Sequence, residues 1–347
     1  MHDFSLSIVD WYRQNKRDLP WRNTNNPYFI WLSEIILQQT RVQQGLSYYQ
    51  RFVQLFPKVE DLAAADEQLV LKTWQGLGYY SRARNLHFTA QTIVNEFNGT
   101  FPDAYKDIRS LKGVGDYTAA AIASFAYNQP YAVVDGNVYR VLSRYFDEKT
   151  PYDSTSGKKL FQLLANEVLD TSNPSDHNQA IMELGAIICT PKQPKCGSCP
   201  LQNSCLALRN KTVTERPVKS KKTKVEKVYF YYLFKDMDSL FLQKRTSGIW
   251  KNMYQLPLIE SKEKLTKEAV EKAVNEKYGV RLSGKTALYE YKHQLSHRAI
   301  NAQFWKINQN PKNDLIFEVS SKKELKKYPI PRLIERFFED IKANNGE

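Results

Sequence analysis

Cysteine is scarce in this chain and long apolar runs are missing. The 347 residues hold four cysteines, all inside CTPKQPKCGSCPLQNSC, and no stretch reaches the about 18 consecutive apolar residues that a membrane-spanning helix needs. A disulfide-stapled scaffold is therefore not expected, and no membrane is expected among the partners. The opening residues, MHDFSLSIVDWYRQ, set Phe4, Ile8, Trp11 and Tyr12 on one helical face but lack the basic and apolar regions of an export signal, so a cytoplasmic protein is expected. Acidic side chains are outnumbered, with 37 Asp plus Glu against 50 Lys plus Arg and a formal net charge of +13. That balance favours a polyanionic partner through counterion release. No internal repeat is visible and no segment has a disordered composition.

The length suits two domains, each large enough to bury its own core. From residue 1 to 208 the apolar pattern is helical throughout, as in Leu62, Leu69, Leu71 and Trp74 or Ala83, Leu86 and Ile93, broken by Gly and Pro turns. Residues 209 to 226, RNKTVTERPVKSKKTKVE, lose apolar content and gain lysine, which predicts an exposed linker. From 227 to 347 the period changes. KVYFYYLF, SLFLQKR and HRAINAQFWKI read as strands, and 262–278 and 331–343 as helices. An all-α domain followed by an α+β domain is the expected architecture.

The cysteines Cys189, Cys196, Cys199 and Cys205 are spaced C-x6-C-x2-C-x5-C, a pattern for a metal centre. Spacing alone allows structural zinc or a 4Fe-4S cluster. Either would staple the loop after NQAIMELGAII and hold Lys192 and Lys195 outward as a basic finger toward phosphate.

In LKGVGDYTAAAIASFAY two glycines, Gly113 and Gly115, flank one apolar residue between helical segments. Such a turn leaves backbone N–H groups free to bind a phosphate without reading sequence, although an ordinary turn has the same pattern. In YAVVDGNVYRVL, Asp135 stands at a helix N-terminus as its cap, where the helix dipole and backbone donors are expected to lower its pKa. Glu34, in WLSEIILQQT, lies among apolar residues. Seen alone, it reads as the wet edge of a packed helix, in a stripe with Gln38 and Arg41. Its apolar neighbours are expected to raise its pKa, and each unit is worth about 1.4 kcal/mol. One carboxyl poised as acid beside one held as anion is the arrangement that breaks a glycosidic bond through an oxocarbenium-like state.

LKGVG followed by VVDGNV and then by the cysteine pattern resembles the helix-hairpin-helix DNA glycosylases related to endonuclease III. LPWR, WLSEIILQQTRV and WQGLGYYSRARNL narrow the resemblance to the MutY-type adenine DNA glycosylases. The resemblance implies a 4Fe-4S cluster rather than zinc. It also implies excision of adenine opposite 8-oxoguanine or guanine in double-stranded DNA, by a monomer that in a bacterium is nucleoid-associated. Glu34 then corresponds to the general acid that protonates the flipped adenine at N7. Asp135 corresponds to the anion that steadies the sugar cation, with Asn137 orienting it, and Gln39 and Tyr79 to residues that wedge into the duplex. Trp21 and Arg22 fall near the adenine pocket. Tyr117 stands where bifunctional relatives carry a lysine nucleophile, so the resemblance implies a monofunctional enzyme.

The carboxyl-terminal half resembles the family's Nudix-like domain at RTSGIWKNMYQLPL. KAVNEKYGV puts Ala273 and Lys277 where a working Nudix box has carboxylates for magnesium, so lesion recognition is expected there instead of hydrolysis. HQLSHR aligns with the family's lesion-contacting loop, which makes Leu295, Ser296 and His297 candidates for 8-oxoguanine contact, with Leu295 replacing the family's Phe. Two other readings compete: an endonuclease III-like lyase, opposed by Tyr117 and by the second domain, and a catalytically silent lesion-binding protein.

Overall fold

Residues 2–220, 225–236, 239–284, 286–295, 298–319 and 322–344 are described by the structure, a computed structural model. They fall into two units, Met1–Ala64 with Asn85–Lys222 and Ala65–Arg84 with Thr223–Glu347. The helices in chain order are α1 (His2–Asn15), α2 (Pro27–Leu37), α3 (Val42–Leu55), α4 (Val59–Ala64), α5 (Glu67–Thr73) and α6 (Ser81–Glu96). There follow α7 (Tyr105–Ser110), α8 (Asp116–Tyr127), α9 (Gly136–Tyr145), α10 (Thr155–Val168), α11 (Pro174–Ile187) and α12 (Leu206–Arg209). None of the described helices is long and apolar enough to cross a membrane.

Local chemistry sets the helix ends that matter to the cleft of the first unit. The Asn26 side chain accepts the Tyr28 N–H, with Pro27 filling the first turn of α2, and Asn128 closes α8 in the left-handed conformation. Phe4 and Ile8 of α1, Val138 and Leu142 of α9, Phe161 of α10 and Leu184 of α11 form one buried core. Each such side chain contributes about 1.5–3 kcal/mol by leaving water. Alongside it α2 packs on α3 and α8. It buries Ile30, Trp31, Leu32, Ile35 and Ile36 nearly all round, and Ala119, Ala120 and Ala121 of α8 are buried too.

One expectation is corrected here and one refined. Glu34, Gln38 and Arg41 do not share a helix face: α2 ends at Leu37, Gln38 is its C-cap in a turn, and Arg41 is the N-cap of α3. Residues 209–220, expected as an exposed linker, are largely exposed but group with the first unit, where Asp147 anchors them. Its carboxylate accepts from Asn210 at 2.9 Å and Thr212 at 2.6 Å and pairs with the buried Arg216 at 3.0 Å. The Tyr152 N–H adds a bond to the Val218 carbonyl.

In the second unit β1 (Glu226–Phe234) is flanked by β4 (Leu258–Ser261) and by β6 (Arg298–Lys306), and β5 (Tyr289–Gln294) lies outside β6. β1 and β6 run parallel, with Val228 opposite Ile300 and Tyr232 opposite Phe304. The other sheet joins β3 (Tyr254–Gln255), β2 (Leu240–Lys244) and β7 (Ile316–Val319) in that order. Among the helices of this unit are α13 (Lys267–Tyr278), α14 (Lys322–Leu325) and α15 (Arg332–Asn344). Tyr231 and Leu233 pack with Val270 and Val274 of α13, while Phe234 and Phe304 meet Phe337 of α15. Both faces of β1 are covered, which is why KVYFYYLF reads as a continuous apolar run rather than an alternating one. Residues 65–84, which the sequence pattern left in the helical half, go with this unit: Glu67 accepts from Asn252 at 2.6 Å, and Lys72 and Arg84 donate to the carbonyls of Tyr328 and Lys251.

Within the first unit α11 lies against α9 at Gly185, where an added Cβ would stand 2.6 Å from Asn137 Cβ and 2.9 Å from its carbonyl oxygen. Gly185→Ala is therefore expected to destabilise the protein by about 1–3 kcal/mol, read as a lower denaturation midpoint in urea.

Candidate active site

The first unit holds a cleft of about 820 Å³ lined by α2, the loop after it, the α7–α8 hairpin, and residues of α9 and α11. Glu34, Gln39, Gly113, Gly115, Tyr117, Asp135 and Asn137 all line it, as do Trp21 and Arg22. The apolar packing of α2 leaves Glu34 only 7% exposed. Burial pushes its carboxyl up to about 7, the Tyr117 hydroxyl that donates to it works the other way, and the nearby Asp135 charge adds to the rise. Tyr117 is itself raised, by burial and by the two carboxylates, so it stays a phenol donor.

Asp135 caps α9, accepting from the N–H groups of Asn137 at 2.9 Å and Val138 at 2.8 Å on one oxygen and from Asn137 Nδ2 at 2.7 Å on the other. The expected lowering of its pKa is not found. Burial at the cleft wall outweighs these donors and the Arg140 charge, and the carboxyl is raised. Arg140 ties the helix in place, donating to Asn137 Oδ1 at 2.8 Å, the Gly185 carbonyl at 2.7 Å and the Cys189 carbonyl at 2.6 Å.

The glycine hairpin is built as its spacing suggests. Gly113 sits at φ +83° and Gly115 is the N-cap of α8, with open space where a Cβ would be. Gln39 is exposed on the loop after α2 with φ 56°, a conformation uncommon for a residue with a side chain and a mark of a constrained site. Tyr79, 48% exposed at φ 48°, lies on the segment that belongs to the second unit, between Gly78 and the guanidinium-bearing Arg82. Leu295 lies in the second unit after β5 and is half-buried, and Ser296 and His297 fall outside the described residues. Lys192 and Lys195 are exposed on the cysteine loop. Sequence reasoning missed Arg17, Gln179 and Glu183, which also line the cleft. Glu183 carried the same signal as Glu34, one carboxylate in the apolar run IMELGAII.

Cys189, Cys196, Cys199 and Cys205 surround one small pocket with Arg144, whose Nη1 donates to Cys189 Sγ at 3.3 Å. Four cysteine sulfurs around one space are a donor set that fits structural zinc or an iron–sulfur cluster alike. Burial pushes the Cys199 thiol up to about 11, and a group that holds it as thiolate has to bring positive charge of its own.

Residues 32–165 match the family described as HhH-GPD superfamily base excision DNA repair protein. Residues 228–340 match the NUDIX domain, and residues 189–205 match the iron-sulfur binding domain of endonuclease III. The chain is similar to the adenine DNA glycosylase of Buchnera aphidicola subsp. Baizongia pistaciae, 35% identical over 302 residues that cover 85% of this chain and 83% of that one. It is similar to that of Mus musculus at 45% identity over 213 residues, 59% of this chain and 41% of that one. Among solved structures, a thermostable thymine-DNA glycosylase matches with a TM-score of 0.54 and 31% identity over 60% of this chain and 95% of that one. A non-covalent endonuclease III–DNA complex shares the fold at a TM-score of 0.51 and 20% identity, over 60% of this chain and 94% of that one.

The four cysteines are thus the ligand set of a 4Fe-4S cluster. Protein purified without oxygen is expected to be brown and to carry about four irons per chain, measured by elemental analysis. Stoichiometric zinc without iron would contradict this.

Proposed function

Because the chain belongs to the adenine DNA glycosylases, we propose that it removes adenine paired with 8-oxoguanine, or with guanine, in duplex DNA and leaves an abasic site without cutting the strand. The observation that carries this reading is the Glu34 carboxyl, buried in the cleft wall, pushed up to about 7 and facing Tyr117 and Asp135. At neutral pH such a group still holds a proton to give. In this reading the adenine is extruded from the duplex into the cleft, at a cost of a few kcal/mol of unstacking. Glu34 protonates N7, which turns the base into a neutral leaving group. Asp135, as carboxylate, steadies the positive charge that grows on the deoxyribose, and Asn137 fixes its orientation through the 2.7 Å bond from Nδ2. Water then adds to the sugar cation and gives its proton to the Glu34 carboxylate, which restores the acid.

The donor set supports the monofunctional reading. Among the described residues lining the cleft there is no lysine, so no amine stands ready to form a Schiff base with the sugar, and Tyr117 has its hydroxyl turned to Glu34. The remaining assignments keep their sequence-based roles. Gln39 and Tyr79 are the wedge, and the backbone of Gly113 and Gly115 with Lys192 and Lys195 meets phosphate. Leu295, Ser296 and His297 contact the lesion base. The second unit acts in recognition, since Lys277 spends its ammonium on the Leu258 carbonyl at 3.0 Å where a Nudix site would need a carboxylate. The protein works as a monomer in the cytoplasm, on the nucleoid in a bacterial host.

Glu34→Gln is expected to slow adenine release from an A opposite 8-oxoguanine duplex at least about 100-fold while duplex binding is kept. A wild-type rate in that variant would remove Glu34 from the mechanism. For the unaltered protein kcat/KM should fall as pH rises through about 7, because Glu34 then loses the proton it must donate. It should fall again on the acid side as Asp135 becomes neutral. The double variant Ser296→Ala, His297→Ala should lose preference for 8-oxoguanine over guanine opposite adenine while still excising adenine; unchanged discrimination would argue against the loop.

A further inference from the structure

Glu183 is a second carboxylate that the apolar pattern of its helix does not account for, and the reaction above leaves it without a part. It lies on α11 with its side chain fully buried. Oε1 accepts from the Arg17 backbone N–H at 3.0 Å and from Arg17 Nε at 2.7 Å. Oε2 accepts from Arg17 Nη2 and from Arg22 Nη2, each at 2.6 Å. Arg22 is then held a second way, by Nη1 donating to the Arg17 carbonyl at 3.1 Å. It is held a third way by its guanidinium 5.6 Å from the Tyr12 ring centroid, and the Tyr12 hydroxyl is itself engaged by Gln179 Oε1 at 2.8 Å.

Two guanidinium groups on one carboxylate leave the cluster with a net positive charge, and all three side chains line the cleft. Burial works to raise the Glu183 carboxyl, but the Arg17 and Arg22 donors outweigh it and hold it down at about 2, so the cluster keeps its charge across the working pH range. A buried ion pair of this kind adds little net stability compared with apolar packing of the same volume. What it does supply is a fixed direction for Arg22, whose side chain is 10% exposed. Of the five N–H donors of a guanidinium, Glu183 and the Arg17 carbonyl take one each, and Arg22 is among the residues that line the cleft.

We propose that Glu183 is a positioning residue for base excision: it clamps Arg22 so that its remaining N–H groups donate to a ring-nitrogen acceptor of the extruded purine and hold the base against the acid. The inference rests on the adenine-excision reading above. Purine ring nitrogens accept hydrogen bonds, and a base misplaced by about 1 Å can lose on the order of 100-fold in rate.

The test is a double-variant cycle of Glu183→Gln and Arg22→Met, read by single-turnover excision on A opposite 8-oxoguanine together with duplex Kd and a pH–rate profile. Each single variant is expected to slow excision roughly 10- to 100-fold with Kd within about twofold of wild type. The pH midpoint set by Glu34 should stay in place while the plateau drops, and the double variant should be no slower than the slower single. Losses that multiply in the double variant, or a wild-type rate in Glu183→Gln, would overturn the proposal. Should Glu183→Gln fail to fold, Arg22→Met decides alone: slowed excision with intact Kd supports the clamp, and a wild-type rate overturns it. Wild-type protein that released no adenine would overturn the underlying reading instead, which separates the two failures.

Discussion

A carboxyl group buried against the grain of its helix is the constraint on which the cleft depends. α2 is apolar almost all round, and Glu34 is carried into that packing by its neighbours rather than by any partner that would neutralise it. Burying an acid costs folding energy unless the acid takes up a proton, and that cost is what produces a proton donor near neutral pH. The Tyr117 hydroxyl limits the rise, and the Asp135 charge across the cleft adds to it. Neither partner is a cation, so no ion pair holds the carboxyl in its charged form.

The opposing wall is rigid for different reasons. Asp135 is fixed by the first N–H groups of α9 and by Asn137, and Arg140 joins Asn137 to the carbonyls of Gly185 and Cys189. The loop that carries the cysteines and the helix that carries the anion therefore share one run of hydrogen bonds. Gly185 lets α11 come close enough to complete it. Arg144, one turn further along α9, donates to Cys189 Sγ and to the carbonyls of Thr190 and Pro191, so α9 is held by the loop along its length. The cysteine loop and the N-terminal turn of α9 are thus one hydrogen-bonded unit.

Much of this was legible in the sequence. The carboxylate inside WLSEIILQQT, the glycine hairpin and the cysteine spacing each carry a local signal that survives folding, because burial, a left-handed turn and a metal loop all leave marks in residue type. The strands of the second unit were legible through aromatic and β-branched runs. Other features were not. The sign of the Asp135 shift depends on how much solvent the cleft wall excludes, which no capping rule supplies. The anchoring of 209–220 depends on Asp147, a residue some seventy positions away from Arg216, so composition alone indicated only an exposed segment. The placement of 65–84 rests on long-range bonds such as Asn252 to Glu67, and a helical period says nothing about which unit a helix joins. Glu183 could have been found by the rule that found Glu34, but its two arginines lie about 160 residues upstream, and without them it reads as one more polar position.

The central claim is that position 34 keeps its proton near neutrality because of where it is buried. Its titration can be followed directly, in protein labelled with carbon-13 at glutamate side-chain carboxyls and assigned by comparison with Glu34→Gln. A midpoint near 7 is the value the account predicts; a midpoint in the ordinary glutamate range, about 4.3, would contradict it.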